Sequence, residues 1–377
     1  MMSAKSTASS DPTEGKRGAH AARQSYFSLV MPVYGVERYI MDSIADLLCQ
    51  TFGEFELIVV DDASPDRSIE IASDLAGGDE RVRIIHHETN LGVSEARNTG
   101  IAAARGKWLM FPDPDDRYDE RMLEYLHDRL EDSAPDLLIF AHTQEYFGPD
   151  GAFLYSNALP LPDSLYVGLQ NIGRTALLLE RDTHLGYPWN KVYRTDIVKA
   201  QELRFETVPF IEDIAFNLRY LEHTNMMMTC SFSPYRYAKR VQSNLTNAHD
   251  ARYYEAHRRR IAEVRSMLAS RACLDDSSKR ILGALYARYI LSTLERNCAS
   301  DSKMNIAARW AWIEQLYRDP LFIELIPAAE ADQSKELALC LSFLKARNTP
   351  ALLAIGRGIH IVRTASTSAY TKVRSKR

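Results

Sequence analysis

Lys107-Trp108-Leu109-Met110-Phe111 runs directly into Pro112-Asp113-Pro114-Asp115-Asp116, and Glu56-Leu57-Ile58-Val59-Val60 runs in the same way into Asp61-Asp62-Ala63-Ser64-Pro65-Asp66. Each is a short apolar run, long enough for a buried strand, that stops on clustered carboxylates. In open α/β sheets the crevice at the carboxyl ends of the strands is where ligands bind. Two acidic clusters in one crevice repel each other unless something positive lies between them. A hard divalent cation carrying a diphosphate meets that need, because such ions prefer oxygen ligands.

Working outward, further apolar, partly β-branched runs occupy residues 26–31, 82–86 and 137–140, with helical spacing at 37–50, 68–76, 94–104 and 120–130. This alternation predicts βαβ units, hence an α/β fold with a mainly parallel sheet flanked by helices. Ser64-Pro65 reads as an N-cap with proline at the first helical position. Asn90-Leu91-Gly92 marks a turn into a helix, and Gly106 a helix stop before a strand. From 148 to 173 the pattern loosens into prolines and glycines, which predicts an irregular insertion facing the acceptor. A helix carries Ile211-Glu212-Asp213 onward through Leu221. Beyond about residue 250 the spacing is helical at 254–268, 278–298, 306–318 and 333–345, read as a separate helical region. The expected division is a disordered tail over 1–24, an α/β domain over 25–248, a helical region over 249–347 and a basic amphipathic tail over 348–377.

The 377 residues suffice for one large domain plus a smaller one. A net charge of −4 argues against a surface built for nucleic acid. Five scattered cysteines without CxxC spacing suit buried free thiols in a reducing cytosol rather than disulfides or zinc. The N-terminal residues lack an apolar core for a signal peptide, and no run of apolar residues is long enough to span a membrane. A dinucleotide fold would place GxGxxG after the first strand, where Pro32-Val33-Tyr34 stands instead. A P-loop and an HExxH metal motif are likewise missing.

Taken in order, the motifs resemble those of a family 2 glycosyltransferase of the GT-A fold, over roughly residues 26–245. Pro32-Val-Tyr34-Gly-Val-Glu37 resembles the opening loop on which the base and ribose of a sugar nucleotide rest. Asp61-Asp62 would accept from uracil or bond the ribose hydroxyls; standing alone, the same residues are also a turn with solvated aspartates. Asn90-Leu-Gly92 with Ala96-Arg97-Asn98-Thr-Gly100 matches the third signature. There Gly92 lets backbone approach the ligand, and Arg97 is either a positive charge beside the nucleotide or a strut to Asp113 or Asp115. Asp113-Pro-Asp115-Asp116 resembles the DxD element, which implies Mn²⁺ or Mg²⁺ on Asp115, Asp113 on the donor's ribose or on the metal, and Asp116 orienting its neighbours. Pro112 and Pro114 depart from the usual Leu and Ser there, stiffening the loop without removing a carboxylate. Glu212-Asp213 resembles the acceptor-side acidic pair, with Asp213 as general base and Glu212 shaping the acceptor site, although helix dipoles also favour acids at that position. Trp189-Asn-Lys191 upstream and Tyr235-Arg236-Tyr237…Arg240-Val-Gln-Ser243 downstream complete the pattern, with Lys191, Arg236, Arg240 and Ser243 on the donor side. Arg236 and Arg240 read equally as surface charges.

The resemblance implies an inverting, metal-dependent transfer of a sugar from a nucleotide-sugar donor, UDP-linked, to a hydroxyl of a glycan or lipid-linked acceptor. The bacterial cell-surface polysaccharide and teichoic-acid type is the nearest likeness. Without a Q-x-x-R-W motif, addition of one or a few sugars is expected rather than polymerisation. The rival is a non-catalytic nucleotide-sugar-binding scaffold on the same fold. After Glu336 the chain holds no acidic residue but has Lys345, Arg347, Arg357, Arg363, Lys372, Arg374, Lys376 and Arg377. With Leu352, Leu353, Ile355, Ile359, Ile361 and Val362 this reads either as a membrane-surface helix or as a helix docked on its own domain. The expected location is the cytoplasm, with peripheral contact at the inner face of the cell membrane.

Overall fold

Apolar runs buried on both faces become adjacent parallel strands, because only there does a continuous hydrophobic stretch lose all its exposed surface. In the computed structural model, which describes residues 25–240, 250–331 and 334–365, these are β1 (Phe27–Val33), β2 (Phe55–Asp61) and β4 (Trp108–Met110), with the half-buried β3 (Val82–His86) added at the edge. They stand in the order β3-β2-β1-β4, all parallel, with Val33 level with Asp61 and Asp61 level with His86 at the carboxyl edge. Pro32 sits inside β1 beyond its last pairing with β4, Leu29↔Met110, so its missing N–H breaks no ladder bond there. The connections are α1 (Ile40–Leu48), α2 (Ser68–Ala76) and α3 (Val93–Ala103).

Past β4 the sheet turns mixed. The next elements are β5 (Arg117–Tyr118), α4 (Met122–Ser133), β6 (Leu137–Phe147), β7 (Phe153–Leu159), β8 (Ser164–Val167) and α5 (Leu169–Arg181). They are followed by β9 (Lys191–Arg194), α6 (Thr195–Ala200), α7 (Glu212–Glu222) and β10 (Met226–Arg240). β9 inserts antiparallel between β4 and β6, and β10 runs parallel to β6. The stretch expected to be irregular is ordered. β7 pairs β6 and β8 pairs β10, both antiparallel. Their residues are only exposed or half-buried, so these edge strands lack the contiguous buried run that marks β1, β2 and β4.

Two turns also differ from expectation. Ser64 does not cap α2, which begins at Ser68. Its hydroxyl instead accepts from Gly35 N at 2.9 Å and donates to Asp66 at 2.8 Å, tying the β1 and β2 loops together. Gly106 is required by close approach: a Cβ there would lie 2.6 Å from Ser28 N.

The remaining helices are α8 (Tyr253–Ser270), α9 (Asp276–Arg296), α10 (Ile306–Leu316), α11 (Pro320–Leu325), α12 (Lys335–Lys345) and α13 (Thr349–Ala365). They are not separate from the sheet. One hydrophobic core runs from Val30, Ile58 and Phe111 through Phe216 and Ile261 to Leu285, Leu344 and Leu352. α9 is the central post, touched by α5, α8, α11, α12 and α13. The tail helix α13 is docked: Leu352 is fully buried, Gly356 lies against Leu294 O, and His360 Nδ1 is 3.0 Å from Glu295 Oε1. Ile361 and Val362 remain exposed. Four cysteines are buried and free, but Cys49 is exposed. Among the described residues no helix is long and apolar enough to cross a membrane. The expected tail over 1–24, Ser243, and Lys372 to Arg377 lie outside the described residues.

Candidate active site

The crevice is built where β1, β2 and β4 end, closed on one side by α3 and α7 and on the other by β10. Asp62 follows β2 and is buried. Its carboxylate accepts from Leu91 N and Gly92 N, each at 2.8 Å, and contacts His87 Nδ1 at 2.7 Å. It therefore fixes the 90–92 turn, where Gly92 has φ +91° as the residue leading into α3. Asp61 stands at the rim, accepting from Ser64 N at 2.8 Å and facing His86 Nδ1 at 2.9 Å. Tyr34, Glu37 and Asn90 are exposed around the same opening, whereas the Pro32 side chain is buried within the sheet.

Arg97 on α3 joins two clusters. Its guanidinium, 4 % exposed, donates from Nη1 to Asp213 Oδ1 at 2.6 Å and from Nη2 to Asp113 Oδ1 at 3.2 Å. Phe205 lies under it at 5.1 Å. Burial works against this charge, yet Asp213 and Asp113 more than offset it, so the guanidinium is held above its ordinary value. The strut reading thus applies to Asp113, with Asp213 as a second partner rather than Asp115.

The Asp113–Asp116 loop is held by tyrosines. Tyr118 Oη donates to Asp113 O, and Asp113 N donates to Tyr235 Oη at 3.3 Å. Tyr235 Oη in turn donates to Asp116 Oδ2 at 2.6 Å, and Ala238 N donates to Asp116 Oδ1 at 2.8 Å. Asp116 is fully buried, which with the neighbouring carboxylates raises its pKa well above the usual range. Burial, only partly offset by Arg97, pushes Asp113 up to about 7. Asp115 is the most open of the three and is raised by burial. Its Oδ2 accepts from Arg240 Nη1 at 2.8 Å, while Arg240 lies 3.8 Å over the Tyr39 ring.

Glu212 and Asp213 begin α7, where the dipole favours negative charge. Burial and the adjacent Asp213 raise Glu212, and its Oε2 is buried with no partner among the described residues. Behind them, Tyr187, Trp189 and Tyr235 stack in sequence, with centroids 4.8 and 4.3 Å apart. This aromatic wall was not foreseen beyond the Trp189 motif itself. Its signal was the run of aromatics in Tyr187-Pro188-Trp189 and Tyr235-Arg236-Tyr237.

Lys191 does not reach the crevice. It is fully buried, and its Nζ donates to His184 O at 2.8 Å, Asn190 Oδ1 at 2.8 Å and Tyr187 O. Burial drives its amine well below the normal value, and what it fixes is the 184–190 loop carrying the aromatic wall. Arg236 is exposed on β10, on the same strand face as Arg240 and beside Arg117 of β5.

Among the described residues no group of three or more His, Cys, Asp or Glu is placed to hold a metal alone. Asp113 and Asp115 nevertheless offer hard oxygens on one loop, each currently balanced by an arginine. That donor set fits Mg²⁺ or Mn²⁺, ions that take one or two carboxylates and complete their shell with substrate phosphates and water.

Comparison with known proteins agrees with this architecture. The model for "Glycosyl transferase family 2" matches residues 28–200. EpsJ of Bacillus subtilis, described as an uncharacterized glycosyltransferase, is 31 % identical over 286 residues, covering 72 % of this chain and 78 % of EpsJ. TarS of Staphylococcus aureus, a poly(ribitol-phosphate) beta-N-acetylglucosaminyltransferase, is 26 % identical over 309 residues, 80 % of this chain but 50 % of TarS. The crystal structure of TarS 1–349 with UDP-GlcNAc superposes with a TM-score of 0.63 at 21 % identity, covering 88 % of this chain and 91 % of that one.

Proposed function

The chain belongs to glycosyltransferase family 2, and on that premise we propose that it is an inverting, metal-dependent transferase with a UDP-linked donor. The acceptor is a hydroxyl of a glycan or lipid-linked chain in cell-surface polymer synthesis. The observation that carries this reading is the bridge of Arg97 from Asp113 to Asp213. It sets one carboxylate of the acidic loop and one carboxylate of the acceptor-side helix against a single cation, leaving both rigid and part-exposed. A displacement with inversion needs a base on the side of the sugar opposite the leaving diphosphate. Asp213 serves as that base, and its bond to Arg97 fixes the direction in which its free oxygen points. Glu212, raised and unpartnered on one oxygen, offers a hydrogen bond to an acceptor hydroxyl.

On the donor side, Tyr34, Glu37 and Asp61 stand at the opening for base and ribose, with Asn90 and Gly92 beside them. Asp62 acts indirectly by holding that turn. Asp113 and Asp115 would hold the divalent ion, which when bound neutralises the departing diphosphate and is worth several kcal/mol of transition-state stabilisation. Arg240 and Arg236 line the same side as cations for the phosphates. TarS supplies the analogy for UDP-GlcNAc as donor and for a phosphate-linked polymer as acceptor. Peripheral contact of the C-terminal basic residues with an anionic membrane belongs to the same reading.

The test is release of free nucleotide from a panel of sugar nucleotides, with and without Mn²⁺ or Mg²⁺. Metal-dependent turnover of one donor supports the reading. Binding without turnover of any donor, in the presence of candidate glycan acceptors, leaves the scaffold alternative in its place.

A further inference from the structure

Away from the crevice, a cleft of about 370 Å³ opens between the α9–α10 turn and α13. Lys303, Arg309, Arg357 and His360 line it together with Cys298 and Asn305, and no carboxylate is among its lining residues. Lys303, Arg309 and Arg357 make no ion pair among the described residues, in a protein where most other arginines are paired. Arg309 donates from Nη1 to Cys298 Sγ at 3.5 Å, and its buried Nε has no partner among the described residues. His360 is turned by Glu295, which contacts its Nδ1 at 3.0 Å. The N-terminal end of α10, capped by Asn305, adds its dipole in the same sense.

We propose that this cleft is an oxyanion site that takes a phosphate-type group. Its position bears on the acceptor. Arg296, two residues before Cys298, lies 4.1 Å over the Tyr253 ring, and Tyr253 meets Phe210 at 6.0 Å. Phe210 directly precedes Ile211-Glu212, so packed side chains run from the last turn of α9, next to the cleft, to the start of α7. A phosphate in the cleft is either a group carried by the acceptor, which rests on the transferase reading above, or free phosphate.

Inorganic phosphate is titrated into the full chain by calorimetry, against chloride at equal ionic strength. The expected result is saturable phosphate binding that R357Q and R309Q each weaken by about tenfold or more, as loss of a charge-assisted hydrogen bond requires. Arg357 is exposed, so R357Q tests the site even if R309Q disturbs folding. Phosphate binding no stronger than chloride, or wild-type binding retained in R357Q, overturns the proposal whatever the donor assay shows. The two sources separate in KM. R357Q raises KM for a phosphodiester-bearing acceptor but not for an uncharged one if the acceptor brings the group. It leaves both KM values alone if free phosphate is the occupant.

Discussion

The guanidinium of Arg97 donates to the carboxylate of Asp213 at 2.6 Å, joining α3 to the first turn of α7 across 116 residues of chain. Because the same guanidinium holds Asp113, the proposed base Asp213 and the acidic loop cannot shift independently. Asp213→Asn keeps shape and hydrogen bonding but cannot take a proton. Turnover is expected to fall about 10²–10⁴-fold with donor affinity nearly unchanged, read from kcat and from calorimetry with UDP. Near-normal turnover would move the base elsewhere, with Glu212 the first alternative. Arg97→Lys should also lower kcat, since a point charge cannot span both carboxylates as the fork does.

Asp115→Ala removes the most open carboxylate of the loop and frees Arg240. Divalent-dependent affinity for UDP is expected to be lost, while metal-independent binding stays, because Asp61 and the 90–92 turn are untouched. Calorimetry with UDP and Mn²⁺ decides; unchanged affinity would remove Asp115 from the metal site.

The strands and helices of the N-terminal half were legible because each is a short contiguous apolar run or an amphipathic segment. The sequence ranges for β3 and α2 coincide with the structure. Edge strands β7 and β8 were not, since burial writes nothing into exposed positions. The acidic motifs were visible, but not which oxygens were already taken. Asp62 spends its carboxylate on backbone amides, and Lys191, which reads as a donor cation, is a buried strut. The Arg97–Asp213 pair joins residues far apart in sequence, so no local spacing signals it.

His142 is fully buried, neither ring nitrogen has a partner among the described residues, and burial lowers its pKa to about 2; burial likewise holds His184 and His257 at about 4. A folded pKa below the unfolded value near 6.5 means the unfolded chain binds the proton first. Stability from each imidazole is full above that pH and lost as pH falls, by about 1.4 kcal/mol per pH unit. The raised carboxyls of Asp113, Asp116 and Glu212 pull the opposite way, so the readout is a difference. His142→Gln should unfold with a shallower acid dependence than the parent between pH 6.5 and 4.5, by about one proton, in urea titrations. Parallel curves would show that His142 stays protonatable in the folded state.

The tail separates into two parts with different expected behaviour. α13 buries Leu352 completely and seats Gly356 against Leu294 O, so truncation after Arg347 uncovers a face of α9. Loss of a buried leucine alone costs about 2–5 kcal/mol, and a clear drop in Tm is expected. Truncation after Ala365 instead keeps that packing and removes Lys372, Arg374, Lys376 and Arg377. It should leave Tm in place while weakening attachment to anionic vesicles, since each basic residue near such a surface contributes about 1 kcal/mol. Attachment of the full chain should also fall as salt rises, because exposed charges are screened over about 8–10 Å near physiological ionic strength. Ile361 and Val362, exposed at the end of α13, are the apolar side chains such attachment would use. Co-sedimentation at low salt is the measurement. Full-length protein left wholly in the supernatant would reduce the C-terminal segment to the packing role of α13.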